Sequence, residues 1–86
     1  MNKASHNLLV YSREGCHLCE IMLNDLKKWQ KKYNFDISVI DIDADIDTQK
    51  KYAARVPVLV SGDIELCEYH LAENTLISHF QALNSC

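Results

Sequence analysis

The fold is decided by the stretch LLVYSREGCHLC at residues 8–19, which leads from an apolar segment through a glycine turn into a Cys-x-x-Cys motif. Residues 8–12 predict a short buried strand. After the motif, apolar side chains recur at helical spacing and predict a helix over residues 16–32. These side chains are Leu18, Met22, Leu26, Trp29 and Tyr33. Cys16 and Cys19 therefore lie where a strand ends and a helix begins.

The placement of the two cysteines favours thiol chemistry. The first turn of a helix has backbone N–H groups without partners and the positive end of the helix dipole, so a thiolate there is stabilised. The i, i+3 spacing puts both sulfur atoms on one side of the turn, close enough to form a disulfide. A stabilised thiolate beside a second thiol is the minimum that thiol–disulfide exchange requires.

Metal or iron–sulfur cluster binding is the alternative function for Cys16 and Cys19. A structural zinc site needs a second pair of ligands at ordered spacing. The other cysteines and three of the histidines show no such spacing; they are Cys67, Cys86, His6, His70 and His79. Haem attachment needs a histidine directly after the second cysteine, where Glu20 stands. The redox interpretation is therefore the stronger one.

Length and composition limit the remaining possibilities. The 86 residues accommodate one domain with one modest core, so we predict a single domain over residues 1–86 with a frayed tail at residues 1–7. The net charge of -3 gives no argument for a nucleic-acid or membrane partner. The apolar run at residues 8–11 is too short for a signal peptide or a membrane span. We therefore expect a cytoplasmic protein, and we expect it to be a monomer.

The rest of the chain predicts three more strands and two more helices. The strands are expected at residues 37–42, 56–60 and 64–68, and the helices at residues 46–53 and 72–83. The first helix connects two strands, which should therefore lie parallel. The predicted order of elements is β-α-β-α-β-β-α.

Four aspartates stand at every second position around the end of the second strand. They are Asp41, Asp43, Asp45 and Asp47. We interpret them as the end of the strand followed by a helix cap from Asp45 or Asp47. A calcium or magnesium site is the weaker interpretation, because no glycine-centred loop or terminal bidentate glutamate accompanies them.

Three stretches resemble a family of small bacterial glutaredoxin-like proteins: LVYSREGCHLC at residues 9–19, VIDID at residues 39–43 and YAARVPVL at residues 52–59. The resemblance extends from residue 8 to residue 84. It implies an α/β thioredoxin fold, with a four-stranded mixed sheet in the order 2-1-3-4 flanked by three helices. It also implies a cis peptide bond between Val56 and Pro57 that lies against the disulfide.

The resemblance further implies a dithiol oxidoreductase without a bound cofactor. Cys16 would be the exposed nucleophile and Cys19 the buried resolving thiol. The backbone of Val56, beside Pro57, would pair with the backbone of a bound thiol peptide. The substrate would be a disulfide-containing protein or a glutathione mixed disulfide, and an external thiol reductant would restore the dithiol.

The chain departs from glutaredoxins proper at two places. His17 and Leu18 stand between the cysteines, where proline and tyrosine are usual. The glycine pair that would hold the γ-glutamyl end of glutathione is absent from residues 67–70. Glutathione, as a co-substrate, and a thioredoxin-type protein system are therefore both candidate reductants.

Five further side chains have two interpretations each. Protonated His17 would favour the thiolate, or it is a solvated residue of the first turn. Arg13 would pair with a substrate carboxylate or the thiolate, and Arg55 would orient an incoming peptide; a plain surface charge is the alternative for both. Cys67 is a buried strand residue or an accessory thiol. Cys86 is an exposed thiol that forms adventitious dimers or adds a second redox event.

Overall fold

Four strands and three helices follow one another along residues 6–84, the part of the chain that the computed structural model describes. The strands are β1 (His6–Ser12), β2 (Phe35–Asp41), β3 (Val58–Ser61) and β4 (Ile64–Glu68). The helices are α1 (His17–Trp29), α2 (Ile46–Tyr52) and α3 (Glu73–Asn84), and a 3₁₀ turn at Ile42–Ala44 precedes α2. The predicted order of elements is confirmed.

The sheet brings the motif and the only proline to the same end of the molecule. Its strand order is β2-β1-β3-β4, as predicted, with β1 parallel to β2 and antiparallel to β3. Ser12 at the end of β1 pairs with Asp41, and Tyr11 pairs with Val58 at the start of β3. Because α1 begins just after β1 and Pro57 just precedes β3, Cys16 and Pro57 are delivered to this one end.

The core forms on both faces of the sheet. One cluster packs β1 and β3 against α1 and α3; its buried members are Leu8, Val10, Met22, Leu26, Phe35, Leu59, Leu76 and Phe80. The second cluster covers the other face under α2; its buried members are Ile42, Tyr52, Val58 and Val60. Alternate residues of β1 and β3 therefore serve opposite faces, as the period of a strand requires.

Several boundaries differ from the predicted ones for identifiable reasons. β1 begins at His6, because His6 and Asn7, assigned to a frayed tail, pair with Phe35 and Asp36 of β2. The rest of that predicted tail, residues 1–5, lies outside the described residues. β3 begins at Val58, two residues later than predicted, because the preceding Pro57 has no N–H to donate to a neighbouring strand.

The first helix ends at Trp29, three residues before its predicted end. The Gln30 amide group donates a hydrogen bond to the carbonyl of Phe35 at 2.9 Å, which closes a turn before β2. Beyond the helix, Tyr33 stacks on Phe80 of α3 with ring centroids 4.8 Å apart. The tertiary contact of Tyr33 thus comes from a turn and not from a continued helix.

Two of the alternating aspartates, Asp43 and Asp45, have defined structural partners: Asp45 caps a helix and Asp43 forms an ion pair. Asp45 caps α2, since its carboxylate accepts hydrogen bonds from the Thr48 hydroxyl at 2.8 Å and the Thr48 N–H at 3.0 Å. These two bonds, the hydroxyl's first, keep the pKa of Asp45 below its usual range. Asp43 accepts both ends of the Arg13 fork, at 2.8 and 3.2 Å. The hydrogen bonds from Arg13 and from Gln49 lower the pKa of Asp43. The loop after β1 is thereby tied to the turn after β2.

Replacement of Phe80 by alanine should strongly destabilise the fold. Phe80 is 2% exposed and stacks on Tyr33 and Phe35. We expect the Phe80→Ala variant to lose about 3–5 kcal/mol of unfolding free energy in urea titrations. Val39→Thr on β2 is the control, because Val39 is 52% exposed; its change should stay within about 0.5 kcal/mol. Equal losses in the two variants would contradict this packing.

The Arg13–Asp43 pair should make stability depend on pH. Because the pKa of Asp43 is lower in the folded protein than in the unfolded chain, its ionised form stabilises the fold above the unfolded pKa of about 3.9. That contribution disappears as the pH falls through the folded pKa. Asp43→Asn should therefore lower the urea midpoint at pH 7 and have little effect near pH 2. The control is Asp36→Asn; an equal effect at both pH values would contradict the linkage.

Candidate active site

Cys16 caps the helix that follows it. Its backbone is extended, with φ -90° and ψ 107°, and its Sγ accepts a hydrogen bond from the Cys19 N–H at 3.1 Å. A serine, threonine or aspartate oxygen ordinarily occupies this capping position. Here a sulfur atom takes that place, so the Cys16 Sγ faces the Cys19 N–H and the positive end of α1.

The two motif cysteines form one disulfide. Cys16 and Cys19 are bonded through their sulfur atoms, and their Cα atoms are 5.2 Å apart, within the usual range for a disulfide. Cys16 is half-buried, whereas Cys19 is only 3% exposed. A reagent from solution therefore reaches Cys16 more easily than Cys19.

Gly15 shapes the turn that presents Cys16. Its φ of +77° lies in the left-handed region, which glycine adopts without strain. A side chain at this position would meet no atom within 4 Å, so the requirement is conformational and not steric. The turn closes with the Cys16 N–H donating to the Arg13 carbonyl at 3.3 Å.

The loop before β3 is held in place by Tyr69. The Tyr69 N–H donates to the Pro57 carbonyl at 2.8 Å, and its hydroxyl donates to the Ala54 carbonyl at 2.6 Å. Tyr69 has a φ of +69°, an unfavourable conformation for an aromatic residue. The role of Tyr69 could not be predicted from the sequence, because neither its spacing nor its residue type signals a left-handed backbone.

Arg55 lies in the same loop, and its guanidinium is engaged within the protein. It donates to both carboxylate oxygens of Glu65, at 2.7 and 3.2 Å, and to Glu68 at 3.3 Å. The hydrogen bond to Glu65 is the main cause of a raised pKa for Arg55, and the pKa of Glu65 is correspondingly lowered. The structure thus joins Arg55 to β4; its action on an incoming peptide stays a prediction.

The other candidate side chains near the motif differ in their engagement. Arg13 is paired with Asp43, as described above. His17 is exposed at the first position of α1, and its side chain makes no hydrogen bond or ion pair within residues 6–84. Arg13 and His17 therefore lie at the same end of the sheet as Cys16. Of these two side chains, only that of His17 is without a hydrogen bond or ion pair in the described residues.

Cys67 is a different kind of thiol from Cys16. It lies half-buried on β4, where its Sγ accepts the Ala72 N–H at 3.3 Å. Burial raises the pKa of Cys67, against the weaker opposite effect of that hydrogen bond. Cys86 lies outside the described residues. Within residues 6–84, no three side chains of His, Cys, Asp or Glu are grouped so that they could hold a metal ion.

No helix in the described part of the chain has the length and apolar character needed to cross a membrane.

Comparisons with known proteins agree with this geometry. The family described as "Glutaredoxin-like domain (DUF836)" matches residues 7–81. Protein Ne2328 from Nitrosomonas europaea is 42% identical with a TM-score of 0.82, over 92% of this chain and 98% of that chain. A structural genomics target protein from X. campestris is 28% identical with a TM-score of 0.65, over 87% of this chain and 96% of that chain.

Similarity in fold extends further than similarity in sequence. Thioredoxin 1 from Thermosipho africanus is only 19% identical, yet it aligns with a TM-score of 0.62 over 92% of this chain and 99% of that chain. That likeness shows the thioredoxin fold alone. Among curated proteins, none matches the chain. The match over residues 7–81 establishes that the chain belongs to the glutaredoxin-like domain family.

Proposed function

We propose that the protein is a thiol–disulfide oxidoreductase in which Cys16 attacks and Cys19 resolves. The observation that carries this proposal is the hydrogen bond from the Cys19 N–H to the Cys16 Sγ at the start of α1. It stabilises a thiolate on the more accessible of two cysteines that are close enough to form a disulfide. The glutaredoxin-like family and the thioredoxin fold support the same chemistry.

The reaction has two exchange steps. The Cys16 thiolate attacks one sulfur of a substrate disulfide, a bond forms between them, and the other substrate sulfur leaves as a thiolate that takes up a proton. The Cys19 thiolate then attacks the Cys16 Sγ and releases the second substrate thiol. Two electrons have passed to the substrate, and the Cys16–Cys19 disulfide has formed. An external thiol reductant returns two electrons and restores the dithiol.

The loop at residues 54–57 is the proposed binding surface for the substrate backbone. Val56 would pair with the main chain of the bound thiol peptide beside Pro57. The two hydrogen bonds of Tyr69 support this role, because they fix the loop at both of its ends. Arg13, His17 and Arg55 are proposed to contact the substrate from the surrounding surface.

The proposed partners follow from this chemistry. The substrate is a disulfide-containing protein or a glutathione mixed disulfide, and the reductant is glutathione or a thioredoxin-type system. The reaction needs no bound cofactor, nucleic acid or membrane. We also propose that the protein works in a reducing cytoplasm, because a dithiol of this kind is maintained in such a compartment. A monomeric state is part of the same proposal.

Single replacements of the cysteines should separate the two steps. Cys16→Ser should abolish turnover of a peptide–glutathione mixed disulfide, because serine cannot form the intermediate. Cys19→Ser should accumulate a mixed disulfide on Cys16, visible as an added mass in intact-protein mass spectrometry. The control is Cys67→Ser, which should keep turnover within about twofold, since its raised pKa and burial disfavour reaction.

Two results would contradict the proposal. One is unimpaired turnover by the Cys16→Ser variant. The other is purified protein that carries stoichiometric zinc, or shows the visible charge-transfer absorption of an iron–sulfur cluster, with ligation lost in Cys16→Ser and Cys19→Ser. The second result would establish the alternative function, a metal or cluster binding module.

A further inference from the structure

The charges of the protein are distributed unevenly along the sheet axis. We call residues 12–20, 41–57 and 68–73 the redox end, because they adjoin the sheet end where Cys16 and Pro57 lie. The redox end holds eight carboxylates and four basic side chains. The carboxylates are Glu14, Glu20, Asp41, Asp43, Asp45, Asp47, Glu68 and Glu73, and the basic residues are Arg13, Lys50, Lys51 and Arg55.

The other described residues carry no net charge. They hold four lysines and four carboxylates, which are Lys27, Lys28, Lys31, Lys32, Asp25, Asp36, Asp63 and Glu65. The lysines belong to the last turn of α1 and the turn that follows it, far along the helix from Cys16. The negative charge of the protein is therefore concentrated around the proposed active site.

Ion pairs within the protein occupy Arg13 and Arg55, the arginine or lysine side chains nearest in the chain to Cys16 and to Pro57. Arg13, three residues before Cys16, donates hydrogen bonds from Nε and Nη2 to the two carboxylate oxygens of Asp43. Arg55, two residues before Pro57, is bound to Glu65 and to Glu68. An anion that approached either guanidinium would have to displace a carboxylate already fixed there.

Two carboxylates beside the motif are by contrast unengaged. Glu14 precedes Cys16 by two residues, and Glu20 directly follows Cys19. Both are exposed, and neither forms an ion pair within residues 6–84. Exposed charges beside a reacting sulfur act on a substrate that approaches within the Debye length, which is about 8 Å at physiological ionic strength.

We infer that this site prefers disulfides whose cysteine lies among basic residues of a polypeptide over anionic disulfides. Cationic segments are drawn to the redox end, and their basic side chains can pair with Glu14 and Glu20. Glutathione disulfide carries more carboxylates than amino groups and is repelled. This inference rests on the proposed function and narrows its substrate class to cationic protein segments.

The test compares two peptides of equal length in which the cysteine is flanked by two lysines or by two glutamates. Each is supplied as its mixed disulfide with 2-mercaptoethanol, so that the half of the disulfide outside the peptide has no charged group and is identical in both substrates. Reduced protein should react about tenfold faster with the lysine peptide at low ionic strength. The ratio of the two rates should fall towards one in 1 M salt, where the Debye length is about 3 Å.

Paired variants identify the residues responsible. Glu14→Gln combined with Glu20→Gln should lower the rate ratio at low salt at least threefold. The control, Asp36→Asn combined with Asp63→Asn, removes the same charge at the opposite end and should leave the ratio unchanged. The ratio is the readout because it cancels any change in the intrinsic reactivity of Cys16.

The outcomes separate this inference from the proposed function. Equal reduction of both peptides at low salt would overturn the inference while leaving the oxidoreductase function intact. A fall in the ratio as large in the control as in the Glu14 and Glu20 variant would overturn the assignment to the redox end. Failure to reduce either peptide would overturn the proposed function itself.

Discussion

The hydrogen bond between the Cys19 N–H and the Cys16 Sγ is the interaction on which the site depends. It exists because β1 ends at Ser12, Gly15 turns the chain in a left-handed conformation, and α1 begins at the next residue but one. The buried face of α1, anchored by Met22 and Leu26, fixes the direction of the helix and of its free amides. We propose that, in the reduced protein, this cap stabilises Cys16 as a thiolate.

A second constraint is the antiparallel pairing of β1 with β3, which brings a distant loop to the cysteines. The register sets Tyr11 opposite Val58, so the loop that ends at Pro57 lies at the same end of the sheet as Cys16, although the two are distant in the chain. Tyr69 and the Arg55–Glu65 pair then hold that loop from the β4 side. The ion pairs that Arg55 forms with Glu65 and Glu68 both stabilise the loop and neutralise the Arg55 guanidinium, and the proposed substrate preference depends on the same pairs.

Local patterns predicted the order of the elements, the motif at a helix start and a cap at Asp45 or Asp47, because each depends on neighbouring residues. The strand order of the sheet came instead from the resemblance to the glutaredoxin-like family. The features that escaped prediction join separate parts of the chain. Arg13 and Asp43 are thirty residues apart and meet only because β1 and β2 are in register. The left-handed Tyr69 depends on hydrogen bonds to two carbonyls of another loop. Such pairings follow from register, which composition and periodicity do not specify.

The central claim is that the start of α1 stabilises a thiolate on Cys16. The most direct measurement is the pH dependence of iodoacetamide alkylation in the reduced protein, with Cys16 and Cys67 followed separately by peptide mass spectrometry. The account predicts that Cys16 is alkylated with a midpoint below the value of about 8.5 for a free thiol, and that Cys67, whose pKa is raised by burial, reacts only at higher pH. Alkylation of Cys16 at the same pH as Cys67, or at a higher one, would contradict it.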